Sequence, residues 1–511
     1  LDERKNPIIL DYDKFKMPGI ERIDDHRFRI ILKRKYPQFV YWLAMPFFSP
    51  MPREADLFYN QGVLKDKNIT IDRYPIGTGA FRMKTFKPQS EMVLAKNENY
   101  RFVPYPKDGE AGDEALGLLE DKGKALPFID EAVYKLEKES IPRWTKFLQG
   151  YYDASGISSD SFDQAVNIST ESGVELTDFI REKGVSLSTS VRPTTYYTGF
   201  NMLDDVVGGS DERKKKLRQA ISIVLDYEEF VEIFSNGRGL PAMSPLAPGI
   251  FGYSEGRAGI NPYVYDWDEE KDRPKRKSLE DARRLMKEAG YPQGRDRNGR
   301  PLTISFDNAW TSMGAKQMIS WYIKKFKLLG IQLNNKTTDY NRYQEKLATG
   351  NFQFYFLGWN ADYPDPENFF FLLYGPNGKV SNHGENASNY SSPKFDRLFV
   401  EMENMDNSKK RLNVIKDMTL TLQEDAPWVF AYHPVSFTLR HDWVGNTKSN
   451  SMANNTLKYL KVDSERRSAL RAKWNRPKFL PIVIVLFILI ALSIPAVLSI
   501  RKKLVTGKRR G

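Results

Sequence analysis

A run of 21 residues without a charged side chain, Leu480 to Ile500, constrains this chain more than any other feature of its sequence. As an α-helix this run is about 31 Å long, which matches the hydrocarbon thickness of one bilayer. A buried helix of a soluble protein usually keeps a polar face, and this run has no such face. The sequence therefore predicts one transmembrane helix at 480–500.

The net charge of +12 lies almost entirely beside this predicted helix. Residues 461–511 contain 13 Lys and Arg against 2 Asp and Glu, so the other 460 residues are nearly neutral. A groove that binds nucleic acid needs excess positive charge on the folded part of the chain, and we expect no nucleic-acid partner. The sequence predicts a basic juxtamembrane linker at 463–479 and a basic tail at 501–511. Six basic residues lie on each side of the helix, so charge alone does not fix its orientation.

Composition and motifs argue against several classes of catalytic and metal site. The chain has no cysteine, which excludes disulfides, thiolate zinc sites and a cysteine nucleophile. None of the four histidines is spaced from another as metal ligands on a helix are. Neither a nucleophile elbow nor a phosphate-binding P-loop occurs. We expect a protein that is not an enzyme, with no catalytic residues, no metal and no cofactor.

Apolar residues alternate between helical and strand periodicity along the body of the chain. Ser278 is expected to cap a helix that ends near Ala289, with a glycine as its stop. The segments 195–200 and 428–432 have the pattern of buried strands. This alternation of helices and strands predicts α/β layers.

The acidic stretch GWNADYPDPENFF directly follows an apolar strand expected at 352–357. The carboxyl ends of strands are where α/β proteins bind ligands. Asp365 has a structural explanation as the N-cap of the next helix, with Pro366 as its first residue. Asp362 either forms a turn or contacts a ligand, and Trp359 either packs in the core or walls a pocket. The residues alone leave the question of Asp362 open and favour the core for Trp359.

Several segments match, in order, the signatures of one family. They are PIGTGAF (75–81), LAKNENY (94–100), TYYTGFN (195–201), LRQAIS (217–222), LMKEAGY (285–291), GWNADYPDPENFF (358–370) and NYSSPKFD (389–396). Over roughly residues 24–444 the chain resembles the bacterial extracellular solute-binding proteins of family 5, the oligopeptide- and dipeptide-binding class.

The resemblance implies a type II periplasmic-binding-protein fold, in which two α/β lobes joined by a hinge close on a ligand. It assigns 1–193 to lobe I, 194–434 to lobe II and 435–462 to a return into lobe I. Family members carry a further stretch before the counterpart of Asp24. The resemblance therefore implies that the opening strands of lobe I and a small extra domain are missing from this chain. The charged start of the chain, which has no apolar segment, fits that expectation.

The resemblance also implies a ligand site. In peptide-binding members the aspartate of the GWxAD stretch receives the α-ammonium of the peptide, and this role carries over to Asp362. The backbone of the same stretch would pair with an extended peptide. Two tyrosines are expected near the strands that cross between the lobes. The expected ligand-binding residues are Asp362, Trp359, Gly358, Asn360, Tyr197 and Tyr432.

One departure from the family pattern concerns the peptide carboxylate. Some oligopeptide binders carry arginines before this motif, and by spacing this chain has Leu347 and Phe356 at those positions. Arg342 and Lys346 lie nearby in the sequence. Recognition of a free peptide C-terminus therefore does not follow from the resemblance.

The expected function is that of the substrate-binding component of an ABC-type importer. It would bind peptides, deliver them to a membrane permease, and stand on the periplasmic or extracytoplasmic face with its tail in the cytoplasm. One alternative is a membrane-anchored sensor or assembly partner with the same fold, and another is a binder of an opine, a sugar or a metal complex. A hydrolase that uses Asp362 and Asp365 as a carboxylate pair is a third.

Overall fold

The computed structural model of the protein describes residues 14, 17–169, 173–312, 314–450, 452–453, 455–477 and 479–507. The strands are β1 Ile20–Arg22, β2 Phe28–Ile30, β3 Phe81–Lys87, β4 Glu91–Lys96, β5 Glu131–Lys135, β6 Ala154–Gly156, β7 Val166–Ser169, β8 Gly173–Leu176, β9 Val185–Val191, β10 Thr194–Phe200, β11 Gly239–Pro241, β12 Tyr265–Asp268, β13 Arg273–Arg276, β14 Thr303–Asn308, β15 Gln332–Thr337, β16 Phe354–Asn360, β17 Trp428–His441, β18 Val444–Gly445 and β19 Lys461–Val462.

The helices alternate with these strands along the chain. They are α1 Phe39–Leu43, α2 Arg53–Tyr59, α3 Gly62–Asp66, α4 Ser140–Leu148, α5 Phe162–Ala165, α6 Asp178–Arg181, α7 Glu212–Val224, α8 Tyr227–Ser235, α9 Gly256–Gly259, α10 Leu279–Glu288, α11 Ala315–Leu328, α12 Tyr340–Thr349, α13 Glu367–Phe370, α14 Lys379–Asn382, α15 Pro393–Glu403, α16 Lys409–Asp425, α17 Ser464–Trp474 and α18 Leu480–Gly507.

The main sheet has the strand order β11-β17-β10-β16-β14-β15 and is covered by helices on both faces. Side chains alternate between the faces, because successive residues of a strand point to opposite sides. Phe200 and Phe354 pack against α7, α8, α10 and α11. Tyr197 and Tyr355 pack on the opposite face, against α12, α15 and α16. This three-layer arrangement confirms the predicted α/β class.

Strand β17 connects the two parts of the molecule. Its first half pairs with β10 and β11, and from Val435 onward it pairs with β9 and β6. At the change of partners the backbone N–H of Arg192 donates to the carbonyl of Pro434 at 2.9 Å. The change falls at the boundary that the sequence analysis placed between lobe II and the returning chain.

Two local predictions show what the sequence pattern captures and what it misses. The helix expected from Ser278 is α10, and Ser278 caps it with a reciprocal bond to Asp281, so this prediction is confirmed. The strand expected at 428–432 continues to His441. Pro434 obscured the continuation, because proline is rare inside a strand; here it stands where the strand exchanges one partner for another.

The segment before the apolar helix differs from the expected linker. Asp463 caps α17, which runs to Trp474, so only residues 475–479 connect α17 to α18. Among the described residues one helix is long and apolar enough to cross a membrane, over Ile482–Arg501, and its apolar window has no part buried against the rest of the protein.

Candidate ligand-binding site

The end of β16 has one open edge. Antiparallel β10 pairs with β16 along its whole length, from Phe354 to Asn360. On the other side, β14 pairs only with Phe354 and Tyr355. Residues 357–360 therefore have a strand neighbour on one edge only within the described part of the chain. Such an edge offers backbone N–H and C=O groups to an added strand.

Asp362 lies just beyond this edge with its side chain exposed. The side chain of Asn368 holds it in two ways. The Asp362 N–H donates to Asn368 Oδ1 at 2.7 Å, and Asn368 Nδ2 donates to Asp362 Oδ2 at 3.2 Å. The carboxylate is thus fixed in orientation while its side chain stays exposed to solvent, so it can serve as a fixed partner for a cation.

The same asparagine also orients Trp359. The indole Nε1 of Trp359 donates to Asn368 Oδ1 at 3.2 Å, and its ring meets Phe371 edge-on at 5.2 Å between centroids. Asn368 is buried and is not among the ligand-binding residues expected from the sequence. Its place six residues after Asp362, in the turn that opens α13, was the available signal.

We expect an Asn368→Ala variant to bind peptides about tenfold more weakly, because Asp362 and Trp359 lose a shared partner worth about 1–2 kcal/mol. Calorimetric titration checks this result. A purely structural role would weaken peptides with a free and an acetylated amino terminus equally, whereas positioning of Asp362 predicts a larger loss for the free amine. Asn386→Ala, at another buried asparagine, serves as the matched control and should leave affinity unchanged.

Gly358 accommodates an aromatic ring. A Cβ atom at this position would lie 2.5 Å from Cδ1 of Tyr196, closer than real atoms approach. Tyr196 pairs across the ladder with Gly358 and stacks on Phe356 at 5.7 Å between centroids. A glycine is therefore required for the ring of Tyr196 to lie flat over β16.

The two tyrosines expected at the site occupy different environments. Tyr197 is 1% exposed and stacks on Trp428 at 3.5 Å, so its ring belongs to the core and a ligand would have to displace that stack. Its neighbour Tyr196 points to the opposite face and is half-buried. Tyr432 is also half-buried and lies 5.0 Å from Tyr196. Tyr197 is expected to bind ligand near the crossing strands, and its place in the core corrects that expectation, because almost none of its ring is exposed.

Asp365 is an internal ion-pair partner rather than a simple helix cap. Arg411 Nη1 and Nη2 donate to its two carboxylate oxygens at 2.7 Å each, and both residues are buried. Asp365 Oδ1 also accepts the N–H of Glu367, but α13 begins at Glu367, after Pro366. A carboxylate held in this way is not available for acid–base work beside Asp362.

Glu367 carries a second buried carboxylate, which contacts the segment before α1. The hydroxyl of Tyr36 donates to Glu367 Oε1 at 2.8 Å. Tyr41 stacks on Tyr363 at 5.8 Å between centroids, so this early segment lies directly on the acidic stretch. Burial, with a contribution from the Asp365 carboxylate, raises the pKa of Glu367 to about 7 although the Tyr36 hydroxyl acts in the opposite direction.

This raised pKa predicts a pH dependence of stability. The native state keeps a proton on Glu367 that the unfolded state releases near pH 4.5, so the free energy of unfolding should fall as pH rises from about 4.5 to 7. The loss attributable to Glu367 is roughly 3 kcal/mol and levels off above pH 7. Urea unfolding in detergent at several pH values measures it. The Glu367→Gln variant should lack this component, and an unchanged pH profile in that variant would contradict the assignment.

Two cations near the site, Lys346 and Arg342, differ in whether the protein already neutralises their charge. Lys346 pairs with the fully buried Asp307, and burial lowers the pKa of Lys346. Arg342 lies exposed in the first turn of α12, and its side chain has no ion-pair partner among the described residues. Of the two, Arg342 alone has a charge left for a ligand carboxylate.

The comparisons with known proteins agree with this architecture. The family model "Bacterial extracellular solute-binding proteins, family 5 Middle" matches residues 4–381. The chain is 25% identical over 427 residues to heme-binding protein A of Haemophilus influenzae, covering 82% of this chain and 65% of the relative. It is 23% identical over 427 residues to the dipeptide-binding protein of Escherichia coli, covering 82% and 66%. The chain thus spans just under two thirds of the length of these relatives.

Solved structures show the same fold. The periplasmic binding protein DppA from Helicobacter pylori, in complex with the peptide STSA, superposes with a TM-score of 0.66 at 19% identity, over 87% of this chain and 74% of that one. AgaA from Agrobacterium tumefaciens, in complex with agropinic acid, gives 0.62 at 15% identity, over 87% and 78%. The expected periplasmic-binding-protein fold is confirmed. This chain belongs to family 5 of the bacterial extracellular solute-binding proteins.

Proposed function

We propose that this protein is the peptide-binding component of an ABC-type importer, anchored by α18 at the extracytoplasmic face of the cytoplasmic membrane. The observation that carries the proposal is the open edge of β16, which ends beside the oriented and exposed carboxylate of Asp362. The amino-terminal end of a peptide can be recognised through its backbone and through its ammonium group. The strand edge would bind the peptide backbone, and the carboxylate would bind the ammonium group.

The chemistry of this edge suits ligands of many sequences. Backbone pairing along residues 357–360 is indifferent to peptide side chains, so it supplies affinity without selecting sequence. The α-ammonium loses its water when the cleft closes, and a fixed carboxylate offsets this desolvation. We assign this role to Asp362, with Gly358, Trp359 and Asn360 forming the pairing edge.

Tyr432 and Arg342 complete the proposed site. The half-buried ring of Tyr432 lies beside Tyr196 where β17 leaves lobe II, near the crossing between the lobes. Arg342, which is exposed and unlike Lys346 has no carboxylate partner among the described residues, supplies a cation for a peptide carboxylate. Tyr197 lies in the core on the opposite face of the sheet from Tyr196. It would affect ligand binding only indirectly, through its packing on Trp428.

Two crossings between the lobes provide the hinge of the proposed receptor. One is the turn between β9 and β10, and the other is β17 at Pro434. Ligand binding would shift the population toward a closed form, without making or breaking a covalent bond. Because Arg411 occupies both oxygens of Asp365, the carboxylate pair needed for hydrolysis is not supported.

Anchoring in the membrane would keep the receptor close to the permease that receives its ligand. A tether that keeps the receptor at the membrane raises its effective concentration at a permease in the same bilayer. The folded part before α18 would lie on the periplasmic or extracytoplasmic side, and the basic residues that follow the helix would lie in the cytoplasm.

Calorimetric titration of the detergent-solubilised full chain tests the proposal. A pool of tripeptides to pentapeptides should release or absorb heat on binding, whereas an opine, a simple sugar and a chelated nickel complex should not. Heat with one of these three ligands and none with peptides would assign a non-peptide solute to the site. No heat with any of them would favour the alternative of a sensor or assembly partner.

A further inference from the structure

Helix α17 is fastened to lobe I by ion pairs and hydrogen bonds. Arg466 pairs with Asp442 through two bonds of 3.0 and 2.5 Å, and Arg467 lies 3.3 Å from Asp153. Past the end of the helix, Asn475 Nδ2 donates to the carbonyl of Gln149 at 3.0 Å. Contacts with lobe I therefore hold α17 near its first turn and one residue past its last.

Aromatic packing fixes the C-terminal end of α17 in the same way. The Trp474 ring lies 5.4 Å from the ring of His441 and 5.7 Å from that of Trp443, both of which are buried. Lys183 places its ammonium 4.3 Å above the Trp474 ring. Arg471 places its guanidinium 4.7 Å above the ring of Tyr151. The end of α17 is thus a part of lobe I and not a free tether.

Only five residues, 475–479, separate α17 from the apolar helix α18. A fully extended chain spans about 3.3–3.6 Å per residue, so the six steps from Trp474 to Leu480 reach about 22 Å at most. Asn475 is itself held against lobe I, which shortens the reach further. The surface of lobe I around Trp474 must therefore lie close to the start of α18.

This surface, which we call the attachment face, combines aromatic and basic side chains. Its members are Tyr151, Phe179, Lys183, Arg471, Lys473 and Arg476. Tyr151 and Phe179 are 50% and 51% exposed. None of its four cations has a carboxylate within ion-pair distance in the described part of the chain. Aromatic rings interleaved with lysine and arginine are typical of surfaces that lie in lipid headgroups.

The acidic side chains beside Phe179 do not cancel this charge. Asp178 is paired with Arg181 at 3.0 Å, which leaves Glu182 as the one remaining acid next to Phe179 in sequence. Asp442 and Asp153, which also lie beside α17, are already paired with Arg466 and Arg467. The four cations of the attachment face therefore outnumber the unpaired acid beside Phe179, and the face is basic.

We propose that the attachment face rests on an anionic bilayer surface, so that lobe I stands in a fixed orientation on the membrane and lobe II performs the closing motion. The proposal rests on the proposed crossing of the membrane by α18. It goes beyond anchoring, because a flexible tether would leave both lobes free to rotate. In this arrangement α17 acts as a rigid bracket between the bilayer and the ligand-binding body.

Site-specific fluorescence quenching on the full chain tests the proposal, because the absence of cysteine allows one label at a chosen position. Phe179→Cys places the label on the attachment face. Leu203→Cys places it after the far end of β10, which leads away from the crossing into lobe II, at a residue that is 60% exposed. Both labelled chains are reconstituted in nanodiscs with a headgroup-attached quencher, made either with 30% phosphatidylglycerol or with phosphatidylcholine alone.

In the anionic discs we expect at least threefold stronger quenching at position 179 than at 203. The double variant Lys473→Glu/Arg476→Glu should reduce quenching at 179 toward the level at 203, as should phosphatidylcholine discs. Lys324→Glu/Lys327→Glu, the same charge change on the exposed surface of α11, is the matched control and should have no effect. Equal quenching at the two positions in anionic discs, or no response to the charge reversal at 473 and 476, would overturn the proposal.

Flotation with vesicles separates this proposal from the anchoring on which it rests. A chain that does not float overturns the membrane crossing, and the orientation with it. A chain that floats while both labels are quenched equally overturns the orientation only. Peptide titration of the same labelled chains shows independently that the binding site is intact.

Discussion

An Arg411→Met variant is expected to lose about 3–5 kcal/mol of unfolding free energy, the largest effect of any single substitution considered for this protein. Arg411 is fully buried and donates to both oxygens of Asp365 at 2.7 Å. Methionine retains much of the volume but leaves the Asp365 carboxylate buried without its counter-charge. Urea unfolding of the full chain in detergent measures the change.

Two further variants distinguish this reason from a general loss of packing. In Arg411→Met/Asp365→Leu neither charge remains, so most of the lost stability should return. Arg257→Met breaks a pair with Glu269 in which both side chains are about two-thirds exposed, and it should cost less than about 1 kcal/mol. A double variant as unstable as Arg411→Met alone would assign the effect to packing rather than to charge.

An Asp362→Asn variant is expected to bind peptides at least about 30-fold more weakly, because the buried peptide ammonium loses its ionised partner, at a cost of about 2 kcal/mol or more. Asparagine keeps the shape of the side chain and its hydrogen bond to Asn368, so folding should be little affected. The exposed position of Asp362 leads to the same expectation. Calorimetric titration gives the affinity, and urea unfolding gives the matched stability.

A comparison with Asp396→Asn makes the result specific. Asp396 accepts the N–H of Gly375 in lobe II and has no place in the proposed site. Its variant should keep the affinity for peptides. Equal losses of affinity in the two variants would indicate a general disturbance of lobe II.

The parts of the fold that were predictable from the sequence depend on signals close together in the chain. The capping residue Ser278 and the helical spacing of apolar residues predict helix α10. A short run of residues with the pattern of a buried strand predicts β10. The acidic stretch is recognisable because its residues are consecutive. Local patterns of this kind can be recognised in a single sequence, because each reflects the structure of one turn, one cap or one strand.

The contacts that organise the candidate site were beyond such patterns. Glu367 meets Tyr36 across 331 residues, and Asp365 meets Arg411 across 46. Their pairing is decided by how distant segments pack, and no spacing within the sequence indicates it. The choice between Tyr196 and Tyr197 has the same origin, because alternation fixes that they face opposite sides but not which side is the core.

The expected linker at 463–479 illustrates a different difficulty. Its composition is basic and polar, which is typical of a solvated segment. The structure shows a helix held by Arg466, Arg467 and Trp474, whose partners lie on β17, on the β17–β18 turn and near α4. The basic residues that suggested a linker thus include those that fasten the helix.

The most direct test of the account is a titration cycle with one tripeptide, prepared with a free and with an acetylated amino terminus, on the wild-type chain and on Asp362→Asn. We predict that acetylation weakens binding to the wild type at least about 30-fold and has little further effect on the variant, because both changes remove the same ion pair. Equal losses on acetylation in the two proteins would contradict the account and remove Asp362 from the recognition of the peptide amine.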